Sequence, residues 1–332
     1  MKIFTIGSGA WGIALSSVLL KNGHDVTIFT RHEDIISEYL TTNSISKCFN
    51  ETKLPKNLVF STDFSLINDA EAVLIAIPSK NIAEIIKKIN ENLTHKVLII
   101  NATKGLEPTS NLRIQEFISK NLNADLINGL ASVLGPGFAR EVILENITCI
   151  NSVSSDEKVG RTIQELFSNN YFRVYYTSDV IGAEFASSIK NAIAIASGIL
   201  FGLGYKENSK AALITRGLNE ITRFGLKKGA KKETFFGLSG VGDLILTCNS
   251  SESRNFKFGK MVAECKSAKK ALLMNKDTIE GVYTIKVIYE ISKHDSIDMP
   301  IINSLYQLIY EDRNLFETIN DIMKRPLKNE DI

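Results

Sequence analysis

The chain has 332 residues, 44% of them hydrophobic and 23% charged. A length of that order predicts about two domains, and the ordinary globular composition excludes a disordered, collagen-like or disulfide-stapled chain. The 39 Lys and Arg nearly balance the 37 Asp and Glu, leaving +2; this argues against a nucleic-acid partner met by a broad basic face, yet sets no limit on small anionic ligands.

Residues 2–6 are a short β-branched apolar run, predicted as a strand, and a glycine-rich turn leads from it into helical apolar spacing over 10–20. Asn22-Gly23 stops that helix, and 26–30 reads as the next strand. Continuous apolar runs at 72–77, closed by Pro78, and at 97–100 predict strands buried on both faces. Amphipathic spacing predicts helices over 81–89, 112–118 and 156–167, with strands at 130–134, 147–153 and 172–176 around a short helix near 138–144. Strands alternating with helices imply a Rossmann-like, doubly wound, mostly parallel sheet.

Past about Asp179 the alternation ends. Long helical segments are expected over 184–200, 209–226, 256–263, 282–292 and 302–310. The expected fold is therefore α/β plus all-α, with a dinucleotide-binding domain over 1–183 and a helical substrate and catalytic domain over 184–332. The start, MKIFTIGSGAWG, lacks the long apolar stretch and cleavage site of a secretion signal. No run reaches the ~18 consecutive apolar residues of a spanning helix. Cys48, Cys149, Cys248 and Cys265 form no C-x-x-C pair, so neither a metal site nor a redox motif is expected. A cytoplasmic protein with no membrane partner is the expectation.

Gly7-Ser8-Gly9-Ala10-Trp11-Gly12 is G-x-G-x-x-G between a predicted strand and helix, the context that gives this pattern meaning. The first Gly makes the turn, the second admits a pyrophosphate to the backbone, and the third lets helix pack on strand. The helix N-terminus adds free N–H donors and partial positive charge. The second strand ends in Arg31 and His32, with Glu33 and Asp34 just beyond. Arg31 suits a 2′-phosphate through its planar fork, which favours NADPH; as a solvated charge it would admit NADH equally.

Ligands of such sheets sit beyond the carboxyl ends of the strands. Pro78-Ser79, the stretch Asn101-Ala102-Thr103-Lys104-Gly105, and Gly135-Pro136-Gly137 fall there. Lys104 would hold an anionic or carbonyl oxygen, or be a surface lysine. Lys190 interrupts an otherwise small and apolar helix beside Asn191. Lys is almost never fully buried without a partner, so it either reaches solvent or faces a polar cavity, where desolvation lets it exchange protons near neutral pH. Asp243 closes the glycine-rich turn 237–243, a place from which a buried carboxylate would orient Lys190. Arg254, in Ser253-Arg254-Asn255 at a predicted helix start, conflicts with the macrodipole unless an anion binds there.

Together the stretches IGSGAWG, ATKGLE, LGPGFARE, IKNAIAIASG, ALITRGLNEI, GLSGVGDLILTC, SRNFKFG and IEGVYT resemble the bacterial form of the NAD(P)-dependent glycerol-3-phosphate dehydrogenase family, in the family's order from Ile6 to Thr284. The resemblance implies reversible reduction of dihydroxyacetone phosphate to sn-glycerol 3-phosphate, for glycerophospholipid synthesis, by a homodimer using NADPH, with NADH admitted. It implies Lys190 as proton donor and acceptor, with Lys104 and Asp243 catalytic. It implies Lys104, Asn191, Thr247, Ser253, Arg254, Asn255, Gly135 and Gly137 as substrate positions. As cofactor positions it implies Gly7, Gly9, Ala10, Trp11, Gly12, Arg31, Lys104, Ala139, Arg254, Thr278 and Glu280. This chain departs from the family at Gly137, where Ser, Thr or Asn is usual, so only a backbone N–H is offered there. Two other readings remain open at this point: another Lys-dependent keto- or hydroxyacid reductase, such as a 2-ketopantoate reductase or a 3-hydroxyacid dehydrogenase, and a redox-silent NADPH sensor. The second needs the glycine loop but not Lys190, Asp243 and Arg254 together.

Overall fold

The computed structural model describes residues 1–327, 329 and 330. The chain divides into two compact units, Met1–Thr103 with Ile114–Val180, and Lys104–Arg113 with the chain from Ile181 onward.

The first unit is built on eight strands: β1 (Lys2–Ile6), β2 (Asp25–Phe29), β3 (Val59–Ser61), β4 (Ala72–Ile75), β5 (Val97–Asn101), β6 (Ile127–Leu134), β7 (Thr148–Val153) and β8 (Phe172–Thr177). Their order is β3-β2-β1-β4-β5-β6-β7-β8. All neighbours are parallel except β6 and β7, which pair antiparallel with Ser132 opposite Val153. The first six strands have the 3-2-1-4-5-6 order of a doubly wound sheet, whose switch point lies between β1 and β4. Strands β4 and β5 are buried along their whole length, which is why they read as unbroken apolar runs. The core beneath them gathers Ile13, Leu15, Val18, Leu74, Ile100 and Phe172, all at most 0% exposed.

Sequence periodicity missed β3, which has only three residues and sits half-exposed at the sheet edge. It also missed the helix Glu33–Thr42, which buries little beyond Tyr39. The link from β6 to β7 carries only the five-residue helix Ala139–Ile143, and β7 returns antiparallel.

The second unit contains all but the first residue of Val180–Gly202, with Glu207–Lys227, Arg254–Cys265, Glu280–His294 and Pro300–Tyr310, at the places expected, together with shorter helices at Lys232–Phe235, Asp243–Asn249, Ala268–Met274 and Leu315–Met323. The expected boundary at 183/184 falls inside the continuous helix Val180–Gly202, and the units part at Val180 and Ile181. That helix is long and apolar enough to cross a membrane by length and composition, and 78% of its most apolar window is buried inside the protein. Its path is fixed by close backbone approach. A Cβ on Gly198 would stand 2.0 Å from the Phe256 carbonyl oxygen, and one on Gly259 2.0 Å from that of Ile195. The helices 180–202 and 254–265 thus pack with no side chain between them at these positions.

Candidate active site

The first unit carries the glycine loop. Gly7 follows β1 with φ +123°, and a Cβ on it would stand 2.3 Å from the Ala76 carbonyl oxygen just after β4. Gly12 faces the Gly7 carbonyl oxygen at 2.2 Å from its own would-be Cβ, whereas a Cβ on Gly9 would meet nothing within 4 Å. Two glycines therefore allow close packing, and the third leaves open space over the start of helix Ala10–Lys21. That helix has no side-chain cap and no acidic residue in its first turn, so its N–H groups and dipole face outward unopposed. These features fit a dinucleotide pyrophosphate.

Around the loop, Ser8 Oγ donates to Thr30 Oγ1 at 2.8 Å, tying it to the end of β2. Arg31 lies just beyond, its Nη1 3.2 Å from Glu84 Oε1 in an exposed pair. Gly135 takes φ +142°, and a Cβ there would press on Ile150. A Cβ on Gly137 would lie 2.9 Å from Trp11 Cη2, so the indole packs where the family's usual side chain would begin. Ala139 opens the helix Ala139–Ile143.

The second unit carries the titratable cluster. Lys190 is 4% exposed and Asp243 1% exposed. The Lys190 ammonium donates to Asp243 Oδ1, and to Thr247 Oγ1 at 2.9 Å. Lys104 Nζ donates to the other carboxylate oxygen, Asp243 Oδ2, at 2.9 Å. Thr247 Oγ1 in turn donates to the Asp243 carbonyl oxygen at 2.6 Å. One buried carboxylate is shared by two ammonium groups. Burial pushes the Lys190 pKa down to about 7; Asp243 opposes the fall and Lys104 adds to it. An ammonium has three N–H donors, so beyond Asp243 and Thr247 Lys190 keeps a third.

Asp243 owes its place to an irregular turn. Leu238–Gly242 is a π-type turn in which Gly240 has φ −95° and ψ −105°. A Cβ on Gly240 would stand 2.2 Å from the Phe235 carbonyl oxygen. Asp243 then opens the helix Asp243–Asn249, with Thr247 one turn on. A carboxylate is favoured at a helix N-terminus.

Three helices meet beside this cluster. Asn255 Nδ2 donates to Asn191 Oδ1 at 3.0 Å, and Asn255 Oδ1 accepts from Gly281 N at 2.9 Å. Ser253 is the N-cap of helix Arg254–Cys265, accepting from Phe256 N at 3.3 Å. Its hydroxyl thus has a structural task in addition to the expected substrate one. Arg254 is exposed at the first helical position. Thr278 is half-buried, and Glu280 begins the helix Glu280–His294.

Among the sequence-derived positions, Lys104, Lys190, Asp243 and Thr247 form one hydrogen-bonded group, and Asn191 and Asn255 a second. Gly7, Gly9, Ala10, Trp11, Gly12, Arg31, Gly135, Gly137 and Ala139 belong to the first unit, and Arg254, Thr278 and Glu280 to the second. Residue-by-residue reading missed a half-buried ion pair, Arg113 with Glu184, 3.2 Å apart. Its only sequence signal is an acid opening an otherwise apolar segment.

Models of the NAD-dependent glycerol-3-phosphate dehydrogenase family match both parts of the chain, the N-terminal model over residues 2–160 and the C-terminal model over 179–320. A glycerol-3-phosphate dehydrogenase [NAD(P)+] of Staphylococcus aureus is 40% identical over 330 residues, 99% of either chain. The crystal structure of glycerol-3-phosphate dehydrogenase from Coxiella burnetii aligns with TM-score 0.90 at 30% identity, covering 98% of this chain and 99% of that one. A ketopantoate reductase from Ralstonia eutropha shares the fold alone, with TM-score 0.61 at 17% identity over 98% of this chain and 100% of that one.

Proposed function

The chain belongs to the NAD-dependent glycerol-3-phosphate dehydrogenase family, and from that premise we propose that it catalyses NAD(P)H-dependent, reversible reduction of dihydroxyacetone phosphate to sn-glycerol 3-phosphate through Lys190. The observation that carries the role of Lys190 is its burial on the carboxylate of Asp243 with a pKa near 7. A group with that proton affinity exists in both protonation states at neutral pH, as a residue that gives a proton in one direction and takes it back in the other must.

Bound at the glycine loop, NAD(P)H supplies the hydride. Gly7, Gly9, Gly12 and the N–H groups of helix Ala10–Lys21 hold its pyrophosphate, and Arg31 takes a 2′-phosphate, giving a preference for NADPH. Reduction of the substrate carbonyl at C2 builds negative charge on its oxygen. Lys190 donates its third N–H proton to that oxygen, and the positive charge of Lys104 stabilises it. Asp243 and Thr247 hold the Lys190 ammonium in one orientation. Arg254, at an exposed helix start with Asn255 behind it, takes the substrate phosphate, which resolves the conflict between its charge and the helix dipole.

The product is a glycerophospholipid precursor. The reading includes a cytoplasmic homodimer; among the described residues no disulfide joins the four cysteines, as suits a reducing compartment.

NADPH consumption with dihydroxyacetone phosphate and none with ketopantoate supports this reading. The reverse pattern would make the chain a ketopantoate reductase, and no consumption with either would leave a sensor. Repeating the assay with NADH measures the cofactor preference. Lys190→Ala is expected to fold, bind NADPH and lose about 10²–10⁴ in turnover; near-normal turnover would reject the assignment.

A further inference from the structure

Lys104 belongs to a ten-residue segment, Lys104–Arg113, that groups with the helical unit although unit-one residues flank it on both sides. The segment is stiff. Leu106 and Arg113 form an antiparallel bridge, and Glu107 N donates to the Leu112 carbonyl oxygen at 2.9 Å. The Glu107 carboxylate accepts from Thr109 N at 3.1 Å and from Ser110 N at 2.6 Å. Leu106 is 3% exposed within the core of the helical unit.

At the far end of the segment, Arg113 Nη1 lies 3.2 Å from Glu184 Oε2, with side-chain exposures of 16% and 3%. The Arg113 guanidinium also lies over the Phe185 ring, 5.9 Å from its centroid. Glu184 is on the helix that carries Lys190, six residues upstream, about 9 Å along the axis. The contacts therefore close a ring. Lys104 reaches Asp243, Asp243 holds Lys190, the helix leads back from Lys190 to Glu184, and Glu184 holds Arg113 at the other end of Lys104's own segment.

We propose that the Arg113–Glu184 ion pair is the positioning device that registers the Lys104 ammonium on the outer oxygen of Asp243. Neither residue touches the reacting atoms; both act through Lys104. The catalytic meaning of this rests on the reading of Lys190 given above, but the positioning itself does not. An Arg on a carboxylate suits this task, because its planar fork fixes orientation where a lysine would fix only distance.

The consequence reaches Lys190 through charge. The charged groups that act on it are Asp243 and Lys104, and the Cys248 thiol on the Asp243 helix faces it, with Lys210 beyond that thiol. Lys104 is the member that holds the Lys190 pKa down from outside its own helix. If Arg113 is lost, Lys104 wanders and Lys190 binds its proton more tightly.

The test follows the Lys190 side-chain Cε resonance against pH in lysine-labelled protein, assigned by its disappearance in Lys190→Met. This readout needs no turnover, so a failure of the assigned reaction leaves it intact. Arg113→Met is expected to raise the Lys190 midpoint by about one pH unit, a tenfold change in proton affinity, and Lys104→Met to raise it comparably. Adding Arg113→Met to Lys104→Met is expected to give no further rise. Arg113→Lys, which keeps the charge and loses the fork, repeats the comparison should the Met variant not fold. An unmoved midpoint in the Arg113 variants would overturn the proposal. So would equal shifts with and without Lys104, which would mean that Arg113 acts on Lys190 by another route.

Discussion

Asp243→Asn keeps the size and shape of the side chain and removes one negative charge from between two ammonium groups. The Lys190 ammonium is in hydrogen-bond contact with the carboxylate it would lose. At an effective dielectric of ~20, an ion pair ~4 Å apart is worth about 4 kcal/mol. One pKa unit is about 1.4 kcal/mol, so the Lys190 pKa should fall by roughly 3 units. It starts near 7, held up against burial largely by this carboxylate, and would end at about 4. Reduction requires the protonated amine, so its rate falls as pH rises through that pKa. The expected wild-type profile of kcat/KM for dihydroxyacetone phosphate has its alkaline limb near pH 7. In Asp243→Asn the limb moves below the working range, and the rate at pH 7 drops by roughly 10²–10³, the fraction of Lys190 still protonated. The reverse reaction must lose the same factor, because the variant cannot change the overall equilibrium. A variant profile that still breaks near pH 7 would refute the reasoning, since it would mean that another group sets that limb.

Other perturbations follow from single contacts. Glu220 is buried in the helical unit and accepts from Ile301 N at 2.7 Å at the start of helix Pro300–Tyr310, and burial pushes its pKa up from 4.5 to about 8. Its folded pKa is raised, so its contribution to stability is full below about pH 4.5 and is lost as pH rises to about 8, up to ~5 kcal/mol. The difference in melting temperature between Glu220→Gln and wild type should therefore vary over that window; a constant difference would contradict it. Gly137→Ser places a Cβ within 2.9 Å of the Trp11 ring, and overpacking of this kind costs about 1–3 kcal/mol. It should lower the melting temperature and weaken NADPH binding in titration calorimetry, whereas full tolerance would mean that the indole moves freely. Arg254→Ala should raise KM for dihydroxyacetone phosphate about 10- to 100-fold with kcat little changed, the loss of a charge-assisted contact. An unchanged KM would count against Arg254 as the phosphate ligand.

Strands β1, β4 and β5 were legible because their side chains are buried on both faces, so that the sequence runs apolar without interruption. The three residues of β3 gave no such signal, since an edge strand half in solvent needs no apolar pattern. In the helical unit, Lys190 stood out as a cation in a nearly all small or apolar stretch, and its burial rules out the alternative in which it reaches solvent. Its partner Asp243 was suggested by a glycine-rich turn, but the turn itself, with Gly240 against the Phe235 carbonyl, depends on backbone geometry that composition does not encode. The Arg113–Glu184 pair was hidden for a different reason. Its members are 71 residues apart, and neither lies in a pattern whose period would announce the other. At Gly137 the departure from the family removes a side-chain hydrogen bond and leaves the backbone N–H. The structure gives the missing side chain a steric reason, because its place is filled by Trp11.

That packing has a spectroscopic consequence. The chain contains one tryptophan, and it is the second residue of the helix that opens the glycine loop. All indole emission of the protein therefore originates beside the proposed nucleotide site. Reduced nicotinamide absorbs in the range where indole emits, so binding of the reduced cofactor should quench Trp11 by energy transfer. Loop rearrangements would change its emission colour. The protein carries its own site-specific fluorophore, and cofactor arrival can be timed in a stopped-flow instrument without attaching a label.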